Sequence, residues 1–251
     1  MNVQELKKYL LSEEAHAFTG WDFSYIKNRM KQEKLSWSYR DIVETYRKDT
    51  YKLLDMGTGG GEFLLSLKHP YENTAVTEAY PPNAALCKEK LTPLGIDVHQ
   101  IFNDSELPFE DGSFEIILNR HEAYDVNELA RILKTGGFFI TQQVGGQNNN
   151  SLSKRLIDNF VPQFPYHNLI NNVSKLENAG FKIIFAKEEF PQLEFCDIGA
   201  VAYYAKIIEW EFPNFTVEGC FDKLCDMYND FLLGDTITTR QHRFMIVAQK
   251  L

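Results

Sequence analysis

From Tyr51 onward, short apolar runs alternate with segments whose apolar residues recur every three or four positions. The runs predict strands at 51–56, 74–78, 96–102, 114–119 and 137–144. Helices are expected near 62–69, 82–92 and 124–133, with Gly136-Gly137 closing the last of them and opening the fifth strand. A polar, turn-rich stretch at Gly145–Asn150 follows, then helices near 151–159 and 168–179 and a sixth strand at 181–186. Helical periodicity at 197–210 and 217–232 precedes a final strand at 242–248, reached after two consecutive helices rather than one. Such alternation implies a parallel sheet covered on both faces, with right-handed crossovers. Ligands then bind beyond the carboxyl ends of the strands, where strand order reverses. The first fifty residues have a different texture: polar and helical, with Phe18, Trp21, Phe23, Tyr25, Trp37, Tyr39 and Tyr46 set among charges. They predict an N-terminal helical extension or cap at 1–50, with the main domain at 51–251.

The first strand runs into Gly57-Thr58-Gly59-Gly60-Gly61, and a helix opens at Glu62. A strand, a glycine turn and a helix in succession let backbone approach a ligand closely. The spacing is G-x-G-x-G through Gly57, Gly59 and Gly61. A nicotinamide site would need glycine at 62, where Glu62 would instead repel a pyrophosphate. A P-loop fails too, since no Gly-Lys-Ser/Thr follows. A ligand without phosphates and with a cationic centre fits better.

Leu54-Asp55-Met56-Gly57-Thr58-Gly59-Gly60-Gly61-Glu62 resembles motif I of the class I S-adenosylmethionine-dependent methyltransferases. Three further landmarks occur in that family's order. Glu78 ends the second strand, in Ala75-Val76-Thr77-Glu78-Ala79. Asn103-Asp104-Ser105-Glu106-Leu107-Pro108-Phe109-Glu110-Asp111-Gly112-Ser113-Phe114-Glu115 is similar to the family's D-A-x-x-L-P-F-x-D-x-S-F-D segment. Glu128-Leu129-Ala130-Arg131-Ile132-Leu133-Lys134-Thr135-Gly136-Gly137 resembles its E-x-x-R-V-L-K-P-G-G, with Thr135 in place of proline. The likeness covers roughly residues 50–144 and implies a doubly wound, mostly parallel seven-stranded Rossmann-like sheet with an antiparallel last strand. To that sheet the sequence adds the N-terminal helical extension and a helical insertion before the last strand.

The resemblance also implies a cofactor set: Asp55, Gly57, Thr58, Gly59, Gly61, Glu78, Ala79, Asn103, Asp104 and Asn119 around S-adenosylmethionine, with S-adenosylhomocysteine as product. Glu78 would hold the ribose, since a carboxylate accepts from two adjacent hydroxyls. The adenine contact falls on Asn103 in the family's register, with Asp104 one place on, and either side chain can accept from an amino group. His121 and Glu122 follow the fourth strand and are the candidates for accepting a proton; lining the pocket is the alternative. Of Gln142 and Gln143, at most one faces the pocket, because side chains alternate along a strand. Tyr80-Pro81-Pro82-Asn83 reads as a helix start. Trp21, Tyr25, Trp37 and Tyr39 either pack a cap or wall a pocket.

Charge narrows the acceptor. The net charge of −9 repels polyanions, so nucleic acid is disfavoured and a small-molecule acceptor favoured. The alternatives are methylation of rRNA or tRNA, and a non-catalytic protein binding S-adenosylmethionine or S-adenosylhomocysteine. The four cysteines, Cys87, Cys196, Cys220 and Cys225, lack CxxC spacing, so buried free thiols and no metal are expected. No apolar run reaches membrane length and the N-terminus reads as no signal peptide, so a soluble, cytoplasmic protein is expected.

Overall fold

The computed structural model describes residues 1–18 and 23–251; Trp21 lies outside the described residues. In chain order the elements begin α1 (Val3–Glu14), β1 (Met30–Gln32), α2 (Tyr39–Tyr46), β2 (Leu53–Met56), α3 (Glu62–Ser66), β3 (Thr74–Glu78), α4 (Pro81–Leu91) and β4 (Asp97–Gln100). They continue β5 (Phe114–Arg120), α5 (Val126–Ile132), β6 (Leu133–Val144), α6 (Asn150–Leu156), α7 (Leu169–Asn178) and β7 (Phe181–Glu189). The chain ends with β8 (Gln192–Phe195), α8 (Ile198–Ile207), α9 (Phe221–Leu232), β9 (Ile237–Arg240) and β10 (Arg243–Lys250). These elements form two compact units: residues 36–144, 167–188 and 244–251 make the larger, and residues 1–35, 145–166 and 189–243 the smaller.

The larger unit holds a seven-stranded sheet in the order β4-β3-β2-β5-β6-β10-β7. Strands β2 to β6 pair in parallel, and the last strand runs antiparallel. After β2 the chain lays β3 and β4 outward on one side, then crosses to β5 on the other, so strand order reverses between β2 and β5. The apolar runs exist because both faces are covered. Leu53, Ile116, Leu118, Met245 and Val247 are buried on one face, and Leu54, Ile117, Phe244 and Ile246 on the other. Two boundaries differ from the sequence expectation for local reasons. Helix α3 stops at Ser66 rather than 69, because Lys68 takes a left-handed backbone (φ 53°) ahead of Pro70. Strand β6 begins at Leu133 and carries the glycine pair inside it, where its register against β5 shifts. A Cβ at Gly137 would lie 2.9 Å from the Glu115 carbonyl, so only glycine fits this irregularity.

The smaller unit contains a three-stranded antiparallel sheet, β1-β8-β9, with α1, α6, α8 and α9. The sequence gives only helices here, since strands of three or four residues are too short for alternation to register. Residues Ile198 to Ala205 of α8 are all buried and form the centre of its core. Arg29 ties distant segments together: it donates from Nε to Asp197 Oδ2 (2.8 Å), from Nη1 to Glu13 Oε2 (3.0 Å) and from Nη2 to Tyr9 Oη (2.7 Å). The stretch 145–150 forms the expected turn and is anchored by buried polar contacts: Asn149 is fully buried and its Nδ2 donates to Tyr204 Oη and Glu211 Oε2. Cys87 and Cys220 are buried free thiols, whereas Cys196 is exposed and Cys225 partly so. Among the described residues no helix is long and apolar enough to cross a membrane.

Replacing Arg29 by alanine would strand the buried Glu13 carboxylate. We expect about 3–5 kcal/mol of lost stability in urea unfolding. Arg29→Lys should restore only part, because an ammonium cannot reproduce the bidentate contact with Asp197.

Candidate active site

The loop after β2 is shaped by three left-handed glycines: Gly57 (φ 64°), Gly59 (φ 63°) and Gly61 (φ 80°). A side chain would strain the backbone at each. It is fastened to β3 at several points. The N–H groups of Gly57 and Thr58 donate to the Thr77 carbonyl (3.0 and 3.2 Å). The Gly59 N–H donates to Glu78 Oε2 (2.8 Å), and Tyr80 N–H to Glu78 Oε1 (2.9 Å). The Cys87 thiol donates to the Gly59 carbonyl (3.0 Å), a contact that the sequence reading of a merely buried thiol does not anticipate. Thr58 Oγ1 donates to Asp55 Oδ2 (2.7 Å). At Gly59 an added Cβ would meet nothing within 4 Å, so this face of the loop is open. At Gly57 it would lie 2.6 Å from Glu122 Cγ, so the Glu122 side chain packs over the loop. Glu62 is exposed, 3.7 Å from Lys90, and a Cβ at Gly60 would collide with its carboxylate.

Carboxylates converge here. Burial pushes Asp55 up to about 7; the Thr58 hydrogen bond and Arg120 oppose this, and Glu78 adds to it. Burial likewise pushes Glu122 up to about 7, with Asp104 and Glu78 adding repulsion and the Ala123 N–H opposing. Asp104 is half-buried and raised, by burial first and then by Asp125. Asn103 is exposed, and its Oδ1 already accepts from Ser105 N–H (3.0 Å) and Ser105 Oγ (2.8 Å). Ala79 is exposed between Glu78 and Tyr80. Among the described residues no three or more His, Cys, Asp or Glu are grouped to hold a metal ion.

The end of β5 supplies the opposite wall. Asn119 is fully buried; its Oδ1 accepts from Thr141 Oγ1 (3.0 Å) and Gln143 Nε2 (2.7 Å). Gln143 Nε2 also donates to the Glu122 carbonyl (3.0 Å), which fixes the turn that carries Glu122. His121 follows with a left-handed backbone (φ 63°), held by its N–H to the Gln142 carbonyl (2.8 Å). Gln142 and Gln143 point to different partners, as alternation requires: Gln142 to Trp37 and His121, Gln143 to Asn119 and Thr141. Arg120 sits over the rings of Tyr39 (5.9 Å) and Phe63 (5.8 Å). It is the cation nearest in effect to Asp55, and the motif pattern gives no sign of it. Beyond Glu122 the segment lines an open cleft with Tyr124, Asp125, His167, Asn172 and Lys175. Tyr25 belongs to the smaller unit, where it stacks on His16 at 3.6 Å.

Asp55 gives a pH test. Its carboxyl group in the folded state titrates near 7, against 3.8 unperturbed, so the folded chain holds this proton more tightly than the unfolded chain. The stabilisation is complete below about pH 4 and is lost as pH rises through about 7. Asp55→Asn keeps an acceptor for Thr58 and cannot ionise. Its stability relative to the parent should rise between pH 4 and pH 8, measured by chemical unfolding without ligand; a constant difference would place the Asp55 titration elsewhere.

Comparison with known proteins bears on the domain and its fold. Residues 54–141 match a family model described as a methyltransferase domain. A demethylmenaquinone methyltransferase of Thermus thermophilus is 30% identical over 113 residues, which cover 41% of this chain and 51% of that protein. The chain thus spans about half the length of this curated relative. Among solved structures, the YcgJ protein of Bacillus subtilis superposes with a TM-score of 0.57 at 18% identity, over 84% of this chain and 97% of that one. A geranyl diphosphate methyltransferase in complex with GPP and sinefungin gives 0.51 at 14%, over 84% and 77%. The [4+2]-cyclase SpnF gives 0.53 at 15%, over 98% and 94%. At these identities the structures share the fold. The matched model, the strand order and the glycine loop together identify residues 54–141 as a methyltransferase domain of the class I S-adenosylmethionine-dependent family.

Proposed function

We propose that the chain transfers a methyl group from S-adenosylmethionine to a small-molecule acceptor and releases S-adenosylhomocysteine. The observation that supports this most is the ring of carboxylates, Asp55, Glu78, Asp104 and Glu122, around a glycine loop whose Gly59 face is open. That set of acceptors suits a cationic ligand that carries hydroxyls, an amino group and no phosphate. Gly57, Gly59 and Gly61 bring backbone to the cofactor, with Asp55 and Thr58 beside its amino-acid end. Each Glu78 oxygen keeps a second lone pair for a ribose hydroxyl. Asp104 takes the adenine amino group, because the Asn103 oxygen is committed to Ser105. Ala79 and Asn119 line the site, and Asn119 acts by holding the turn to Glu122.

The cofactor supplies the activated methyl group. The protein's work is to orient the acceptor, exclude water and, for a hydroxyl acceptor, take its proton at His121 or Glu122. Orientation alone can contribute about 7–11 kcal/mol. A group titrating near 7 is well matched to accepting a proton near neutral pH. The same carboxylates and the net charge of −9 disfavour rRNA or tRNA as acceptor.

Calorimetry with S-adenosylmethionine and S-adenosylhomocysteine tests the reading; no heat at millimolar ligand would end it. Glu78→Ala should weaken binding roughly ten- to a hundredfold, the loss of a charge-assisted hydrogen bond. Gly59→Ala should cost only about 1–2 kcal/mol of stability as backbone strain, because its Cβ meets nothing. It should nevertheless weaken cofactor binding sharply; retained binding would put the cofactor elsewhere. A screen of amine, phenol, thiol and RNA acceptors, read by S-adenosylhomocysteine release, identifies the acceptor class. If a phenol scores, its turnover should rise as pH passes about 7 and Glu122 ionises. Glu122→Gln should flatten that rise.

A further inference from the structure

Gln142 is buried on β6, opposite Arg120 in the strand pairing. Its side-chain amide is fixed at both ends. Trp37 Nε1 lies 2.9 Å from Gln142 Oε1, and an indole nitrogen only donates, so the amide oxygen must face Trp37. The amide nitrogen therefore faces His121, whose Nε2 lies 3.2 Å away. An amide nitrogen only donates, so His121 Nε2 must be the ring's lone-pair nitrogen. A protonated Nε2 would set two N–H donors against each other. The main chain of Gln142 grips the same residue, its carbonyl accepting from the His121 N–H at 2.8 Å, where His121 takes a left-handed backbone (φ 63°).

We propose that Gln142 is a positioning residue that holds the neutral His121 ring in its Nδ1–H tautomer, so that His121 serves as a hydrogen-bond donor from Nδ1 rather than as a base through Nε2. The role for His121 rests on the functional reading above; the tautomer does not. Proton uptake from an acceptor then falls to Glu122, whose side chain lies over Gly57 on the cofactor side of the same turn.

The test is nuclear magnetic resonance of the histidine rings, six in the chain, with His121 assigned by the signal lost in His121→Asn. In alkaline buffer, where the ring is neutral, the parent should show the Nδ1–H tautomer at His121. Gln142→Glu offers Nε2 an acceptor instead of a donor and should switch His121 to the Nε2–H form or to the imidazolium. Trp37→Phe removes the group that orients the amide and should give a mixture, which provides a second reading should Gln142→Glu fold poorly. Affinity for S-adenosylhomocysteine should change less than about threefold in Gln142→Glu, since Gln142 acts through His121. An Nε2–H ring in the parent, an unchanged tautomer in both variants, or loss of S-adenosylhomocysteine binding in a folded Gln142→Glu protein would each overturn the proposal. Failure of the parent to bind S-adenosylhomocysteine would instead overturn the functional reading and leave the tautomer result standing.

Discussion

Glu78 is buried with each carboxylate oxygen bonded to a backbone N–H, Gly59 on one side and Tyr80 on the other. That pair of bonds draws the loop after β2 onto the end of β3. It also brings the Thr77 carbonyl within reach of two further loop N–H groups. A loop pinned at so many points must reverse sharply, and three left-handed residues achieve this. The G-x-G-x-G spacing follows from that geometry: Gly57 leaves room for Glu122, while Gly59 faces open space. The same carboxylate sets the electrostatics. Its charge adds to the burial of Asp55 and Glu122, and both are pushed up to about 7. Strain and repulsion of this kind are held in place by the surrounding sheet.

The centre of the sheet is legible because its inner strands are buried on both faces and read as apolar runs, as Leu53-Leu54 and Ile116-Ile117-Leu118 do. The glycine loop and Glu78 were legible because their spacing is local. Less could be read where geometry joins distant residues. Strands β1, β8 and β9 are three or four residues long and pair with partners far away in the sequence, Met30 with Phe195 and Gln192 with Arg240, so no local signal marks them. The family register falls on Asn103, and its sequence gives no sign that Ser105 occupies the Asn103 oxygen. Arg120 carries no sequence signal, because its effect on Asp55 runs from the end of one strand to another. Gln142 gave no sign of its role, since Trp37 and His121 reach it from different elements.

Residues 119–125 serve both sides of the site. Asn119 is locked into β6 by Thr141 and Gln143, and Gln143 in turn holds the carbonyl of Glu122. Glu122 thereby reaches back over Gly57, while the His121 ring meets the Gln142 amide. Two adjacent residues are thus held by two adjacent glutamines. Gln142 directs its N–H to the histidine ring, whereas Gln143 directs its N–H groups to Asn119, Thr141 and the main-chain carbonyl of Glu122. The division needs no long-range relay. It follows from the alternation of side chains along β6, which sends consecutive amides to opposite faces of the sheet. A shared fold does not carry this arrangement with it, because it resides in a few side chains at strand ends, where one scaffold can host different chemistries.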